Sequence, residues 1–288
     1  MKIDEKCLLC MIRQAMQVAA MTGCTHREAL YQKMFAELSH LNMQKTTPEI
    51  MGELYLLIKD HVGREDPYAE VRKHYNSLLM KESDQWEERI LSSPSPLEAA
   101  VRFAILGNMI DFSALDSVPE DDLMDRLNHA PELELKVNDC PSLARKLAKA
   151  ETILYIGDNC GEVCMDRLLI RQMKRCNPAA RVVYVVRGAP VVNDVIQADA
   201  DMARMEREAT VISNGDTSQG HVLDRVSGEC EELYRQADLI ISKGQGNYEC
   251  LSEAPRPGIF YLLMTKCPQI AGALGVPVGS AVCLESKV

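Results

Sequence analysis

The sequence predicts an α/β protein: an all-helical first half, then a Rossmann-like α/β/α domain built on a mostly parallel sheet. Three observations predict it. Up to about Ala150 the apolar residues recur at helical spacing, and beyond it short runs of β-formers alternate with helical patterns. Those runs are apolar at successive positions, as in parallel strands covered on both faces. Strands separated by helices imply right-handed crossovers. The change of period divides the chain into a helical domain over 1–148 and a Rossmann-like domain over 149–288.

In chain order, Cys7, Leu8, Met11, Ala15, Val18 and Ala19 recur at helical spacing. Thr25-His-Arg-Glu28 and Ser95-Pro-Leu-Glu98 have the form of capping boxes, the second with Pro96 at the favoured first helical position. Thr47-Pro48 and Asp66-Pro67 mark two more helix starts. Trp86, set among Glu82, Asp84, Glu87 and Glu88, reads as a packing residue. Gly107-Asn108 interrupts an apolar helix, where Gly costs about 1 kcal/mol relative to Ala, and on its own the pair reads as a C-cap.

The second half offers strands at Thr152–Ile156, Arg181–Val186, Ala209–Ile212, Ala237–Ser242 and Ile259–Leu263, with a short last one near Ser280–Cys283. Helical patterns occupy 161–176, 194–207, 220–236 and 249–254. Each of the first four strands is followed by a polar loop. Asp158-Asn159 follows the first, Arg187-Gly-Ala-Pro-Val-Val-Asn-Asp194 the second, Asn214-Gly-Asp216 the third and Lys243-Gly-Gln-Gly-Asn247 the fourth. Read alone, Asp158-Asn159 is also an ordinary turn or helix cap. In a parallel sheet, however, all four loops open on the edge where ligands bind. Oxygen ligands of this kind suit a hard divalent ion completed by a substrate phosphate. A lysine beside it would neutralise a phosphoryl oxygen, and the amides of Gly244 and Gly246 would cradle others. Such parts are what metal-assisted phosphoryl transfer to water needs.

Composition narrows the field. With 288 residues, 47% hydrophobic and 26% charged, the chain suits a soluble globular protein of one large or two ordinary domains. Its net charge of −10 argues against a general nucleic-acid binder. No apolar run approaches ~18 residues, so no membrane span is expected. The start MKIDEKCLLC lacks the apolar core of a signal peptide, which points to the cytoplasm and to reduced thiols among the eleven cysteines.

Taken together, Asp158-Asn-Cys-Gly-Glu162, Arg187-Gly-Ala-Pro-Val-Val-Asn-Asp194, Lys243-Gly-Gln-Gly-Asn247 and Gly107-Asn-Met-Ile-Asp111 resemble the metal-dependent damage-control phosphatase family, formerly a domain-of-unknown-function family. Cys7-Leu-Leu-Cys10 resembles the mark of its prokaryotic-type branch. The resemblance spans nearly the whole chain. It implies a helical part packed on an α/β/α domain, and a metal-dependent phosphomonoester hydrolase acting on a sugar phosphate or a phosphorylated metabolite or cofactor. It also implies a divalent ion (Mg²⁺, Mn²⁺, Co²⁺ or Ni²⁺) held by Asp158, Asn159 and Asp194. Asp158 and Lys243 are the expected catalytic pair. Asn108, Lys243, Gly244, Gly246 and Asn247 are expected on the phosphate. Two other classes stay open. One is a nucleotide-dependent dehydrogenase or methyltransferase, disfavoured because no G-x-G-x-x-G follows the first strand. The other is a non-catalytic metal- or thiol-sensing module using Cys7 and Cys10, whose thiols read equally well as buried helix packing.

Overall fold

The computed structural model describes residues 1–109, 119–254 and 256–286. The helical first part comprises α1 (Cys7–Met21), α2 (Arg27–Leu38), α3 (Thr47–Val62), α4 (Ala69–Ser92), α5 (Pro96–Gly107) and α6 (Glu120–Asn128). The predicted capping boxes at Thr25 and Ser95 do not form. Helix α2 is capped from His26, and Ser95 makes no side-chain cap bond. Glu98 turns instead to Arg102 and Asn138. The box that does form is Thr46–Glu49, one residue before the expected Thr47-Pro48 start, with side chains and amides exchanging both bonds.

The stretch read as wholly helical also contains a strand, β1 (Leu135–Asn138), followed by α7 (Cys140–Leu147). The remaining elements are β2 (Thr152–Ile156), α8 (Glu162–Cys176), β3 (Arg181–Val186), α9 (Gln197–Met202), β4 (Thr210–Ser213), α10 (Gly228–Gln236), β5 (Leu239–Lys243), α11 (Gly244–Leu251), β6 (Ile259–Met264), α12 (Pro268–Leu274) and β7 (Ala281–Glu285). Three helical readings were too long or misplaced. Residues 194–207 hold a short α9 and a 3₁₀ turn at Met205–Arg207. Residues 220–227 are loop ahead of α10, which Ser227 caps through the Cys230 amide, and the 249–254 helix begins at Gly244.

The seven strands lie in the order β1-β7-β6-β5-β2-β3-β4, parallel except where β7 runs against β6. From β2 the chain steps outward to β3 and β4, then returns to β5 on the other flank of β2. The β2/β5 boundary is therefore a topological switch point, the place where open α/β sheets bind ligands. Side chains alternate across the sheet. Ile153, Tyr155, Tyr184 and Ile241 join a core that runs without interruption into Trp86, Phe103 and the helices of the first part. Leu154, Ile156, Val183 and Ile240 face Cys230, Leu251 and Ile270 from α10, α11 and α12. Trp86 is fully buried, as its packing role requires. The division at 148/149 falls between β1 and β2, within the sheet. Among the described residues no helix is long and apolar enough to cross a membrane.

Candidate active site

The site is assembled across the C-terminal ends of β2, β3 and β5. The segment after β2 is laced to the one that follows β3. The Val195 amide donates to the Asp158 carbonyl and the Cys160 amide to the Asn193 carbonyl, both at 2.8 Å, and Asn159 bridges Asp194. Asp158, Asn159 and Asp194 are thereby brought together, all buried. The turn leading to Asp194 holds Val192 at φ 45°, a left-handed conformation that a β-branched residue adopts at a cost on the order of 1–3 kcal/mol.

Asn108, the C-cap of α5, is fully buried at this point. Its Nδ2 donates to Asp158 Oδ2 at 2.8 Å and to Glu162 Oε2 at 3.1 Å. Asn159 Nδ2 makes the same pair of bonds, at 2.7 and 2.9 Å. Burial pushes the Asp158 carboxyl up to about 8, with Glu162 and Asp194 repelling its charge against the pull of Lys266 and Arg187. Asp194 Oδ2 accepts from Arg187 Nε at 2.7 Å, while its Oδ1 is buried without a protein partner. Burial raises the Asp194 carboxyl to about 6 against Arg187. Ile110 and Asp111 of the expected motif lie outside the described residues.

Gly244 could be nothing else. It sits at φ +73°, and a Cβ there would lie 1.8 Å from Asp158 Oδ2. The N terminus of α11 thus abuts the carboxylate. Gly246 has a different reason, since its Cβ would meet the Gln219 carbonyl at 2.3 Å. The expected glycine-rich phosphate turn is the first turn of a helix, clasped by the loop before α10.

The structure gives Lys243 and Asn247 internal partners in place of the expected phosphate. Lys243 is fully buried. Its Nζ donates to the Ala104 carbonyl at 2.9 Å and to Glu162 Oε1 and Asp166 Oδ1 at 2.5 Å, which uses all three protons. Burial alone would lower the Lys243 ammonium, but Asp166 and Glu162 outweigh it and raise it. Asp166 also receives the Tyr155 and Tyr184 hydroxyls, at 2.6 and 2.9 Å. Burial lifts the Asp166 carboxyl to about 6 against Lys243. Asn247 braces the strand ends, donating to the Gly157 and Lys243 carbonyls at 3.0 and 2.7 Å and accepting from Arg187 at 3.0 Å. The Asp216 amide donates to Asn214 Oδ1 at 3.0 Å and the Gly188 amide to the Asp216 carbonyl at 2.8 Å.

Sequence reasoning assigned no role to Glu162, Asp166, Arg187 or Lys266. The signal for the first two was present. Apolar residues occupy every register of α8, so acids in its first turns are buried and need partners. Lys266 follows β6, half-buried and near enough for its charge to lower the Asp158 carboxyl. Cys7 and Cys10 lie on α1; the Cys7 thiol donates to Gln269 at 3.3 Å, and Cys10 is exposed. Among the described residues no three His, Cys, Asp or Glu side chains group as a metal cluster; the set at Asp158 has two carboxylates and an amide.

A family model described as the damage-control phosphatase ARMT1-like domain matches residues 3–282. This chain belongs to that family. It is 35% identical over 294 residues to a damage-control phosphatase of Pyrococcus horikoshii, covering 100% of this chain and 99% of that protein. A damage-control phosphatase of Archaeoglobus fulgidus is 30% identical over 289 residues, covering 98% of each chain. The crystal structure of a DUF89 family protein from Pyrococcus horikoshii matches with a TM-score of 0.91 at 33% identity, covering 100% of both chains. Membership of this phosphatase family sets the α/β fold and the helical first part in one architecture shared over the full chain.

Proposed function

We propose that this chain is a divalent-metal-dependent phosphomonoester hydrolase acting on a small phosphorylated metabolite, a sugar phosphate or a damaged cofactor-like compound. The family supports the phosphatase reading. One observation carries the metal. Four buried carboxyl groups, Asp158, Glu162, Asp166 and Asp194, face two buried cations, Lys243 and Arg187, an excess of two carboxyls over cations that, on top of burial, holds the Asp158 proton on to about pH 8. A divalent ion matches that excess, and the partnerless Asp194 Oδ1 offers it an oxygen.

Asp158, Asn159 and Asp194 would hold the ion, whether Mg²⁺, Mn²⁺, Co²⁺ or Ni²⁺. When bound, such an ion withdraws charge from a phosphoryl oxygen and makes a coordinated water more acidic. The chain's own groups do the rest. Asn108 fixes Asp158 Oδ2 and Glu162 in one orientation. Lys243 holds Glu162 and Asp166 by charge-assisted hydrogen bonds. Lys266, half-buried at the same sheet edge, is the lysine we assign to the phosphate, alongside the Gly244 end of α11. The test is a hydrolysis screen of phosphorylated metabolites against each of the four metals. Phosphate release that depends on added metal and stops with chelator is expected. Release that persists in protein shown metal-free by elemental analysis overturns the proposal.

A further inference from the structure

We infer that Arg72, in the first turn of α4, is a positioning residue for Asp194, through which the helical part controls metal affinity; this rests on the metal-dependent reading above. Arg72 is 4% exposed and every arm of its guanidinium is engaged. Its Nε donates to Asp66 Oδ2 at 2.9 Å. One terminal nitrogen donates to the Asp194 carbonyl at 2.5 Å and to Asp199 Oδ2 at 2.8 Å, and the other to the Val192 carbonyl at 2.8 Å. The side chain therefore grips the peptide on either side of Asn193, across the turn whose Val192 is held at φ 45°. A left-handed valine persists where its surroundings impose it. Here the imposing group is a planar fork that two carbonyls and two carboxylates fit, which a lysine ammonium cannot reproduce.

One helical turn later, Asn76 does the same for the other loop. Its Oδ1 accepts from the Gly161 amide at 2.6 Å and its Nδ2 donates to Asp199 Oδ1 at 2.7 Å. Two successive turns of α4 thus fix the segments that carry Asp158-Asn159 and Asp194. Arg187 orients one carboxylate oxygen of Asp194, and Arg72 fixes its main chain. Without Arg72 the 191–195 turn relaxes and the open oxygen leaves its place.

The test uses Arg72→Lys, which keeps the charge facing Asp66 and Asp199, and the double variant Arg72→Lys/Val192→Gly. Mn²⁺ affinity is read by calorimetric titration, and amide hydrogen exchange is followed over 191–195 and over β2 in metal-free protein. For Arg72→Lys, Mn²⁺ should bind about 10- to 100-fold more weakly. Exchange over 191–195 should quicken while β2 stays protected. The glycine, which takes positive φ without strain, should restore part of the affinity. Unchanged affinity and unchanged exchange in folded Arg72→Lys overturn the inference. If that variant fails to fold, the same two readings on Val192→Gly alone decide. Tighter or unchanged Mn²⁺ affinity is expected, and weakened affinity overturns the claim that strain is being held against Asp194. Failure of the wild-type protein to bind any of the four metals overturns the metal reading instead, and the exchange measurement still judges the positioning role.

Discussion

Two buried polar clusters meet at Glu162, and they differ in one respect. Around Lys243, each acceptor of Asp166 and each proton of the lysine has a partner, and the tyrosine hydroxyls close the set. Around Asp158, the carboxylates crowd one another and Asp194 keeps an open oxygen. A closed network holds structure together; one left open beside excess charge is built for a ligand. The contrast separates Asp158 and Asp194 from Asp166, and Lys266 from Lys243.

The strongest way to break the comparison is to remove Lys243. If the closed cluster is structural, Lys243→Met should lower unfolding stability by about 3–5 kcal/mol, because Glu162 and Asp166 lose their buried counter-charge. Chemical denaturation reads this. A normal unfolding midpoint with a greatly reduced kcat would give Lys243 back to the phosphate. Next comes Asp158→Asn, which should reduce kcat/KM by about 10²–10³-fold or more. It should also abolish the metal-induced gain in stability, which for the wild-type protein is about 2.7 kcal/mol at a hundredfold excess of ion over its Kd. Thermal unfolding with and without Mn²⁺ checks both proteins, and an undiminished shift in Asp158→Asn would dissociate the open cluster from the metal.

Glu249, on α11, supplies the control. It too is a buried carboxyl with a partnerless oxygen, but it stands without crowding acids. Burial pushes it up to about 7 from an ordinary 4.5. Its folded-state value is the higher one, so the native protein keeps a proton that the unfolded chain releases, and stability falls as pH rises from about 4.5 to 7. Glu249→Gln should flatten that slope and leave the metal response untouched, as followed by denaturation at several pH values. The smallest effect is expected from Cys7→Ser/Cys10→Ser. The thiols on α1, half-buried Cys7 against Gln269 and exposed Cys10, should leave bound metal and turnover within about twofold of normal. Metal lost from the folded double variant would make the thiols ligands.

What was legible in the sequence follows the same division. β2, β3 and β6 are unbroken apolar runs, and their bounds were read to within a residue. Asp158, Asn159 and Asp194 were legible because strand ends in a parallel sheet share an edge. β1 was not, because Leu-Lys-Val-Asn is short and alternates on the sheet's rim. Lys243 lies at its strand end as read, with its side chain turned to internal acids. Which way its side chain runs is decided by acids on α8, 77 and 81 residues earlier in the chain. Arg72 carried no local signal for this role, since the two carbonyls it holds are more than a hundred residues away.

The place of β7 has a consequence for how the chain is made. It pairs with β1 on one side and β6 on the other, joining Leu135 to Ala281. During synthesis from the N terminus, β2 to β5 can pair while later residues are still being added, so the edge that carries Asp158 and Asp194 can take shape early. The β1 rim cannot. Its neighbour in the sheet is β7, more than a hundred residues later in the chain, so β1 waits with an unpaired edge until that strand has emerged.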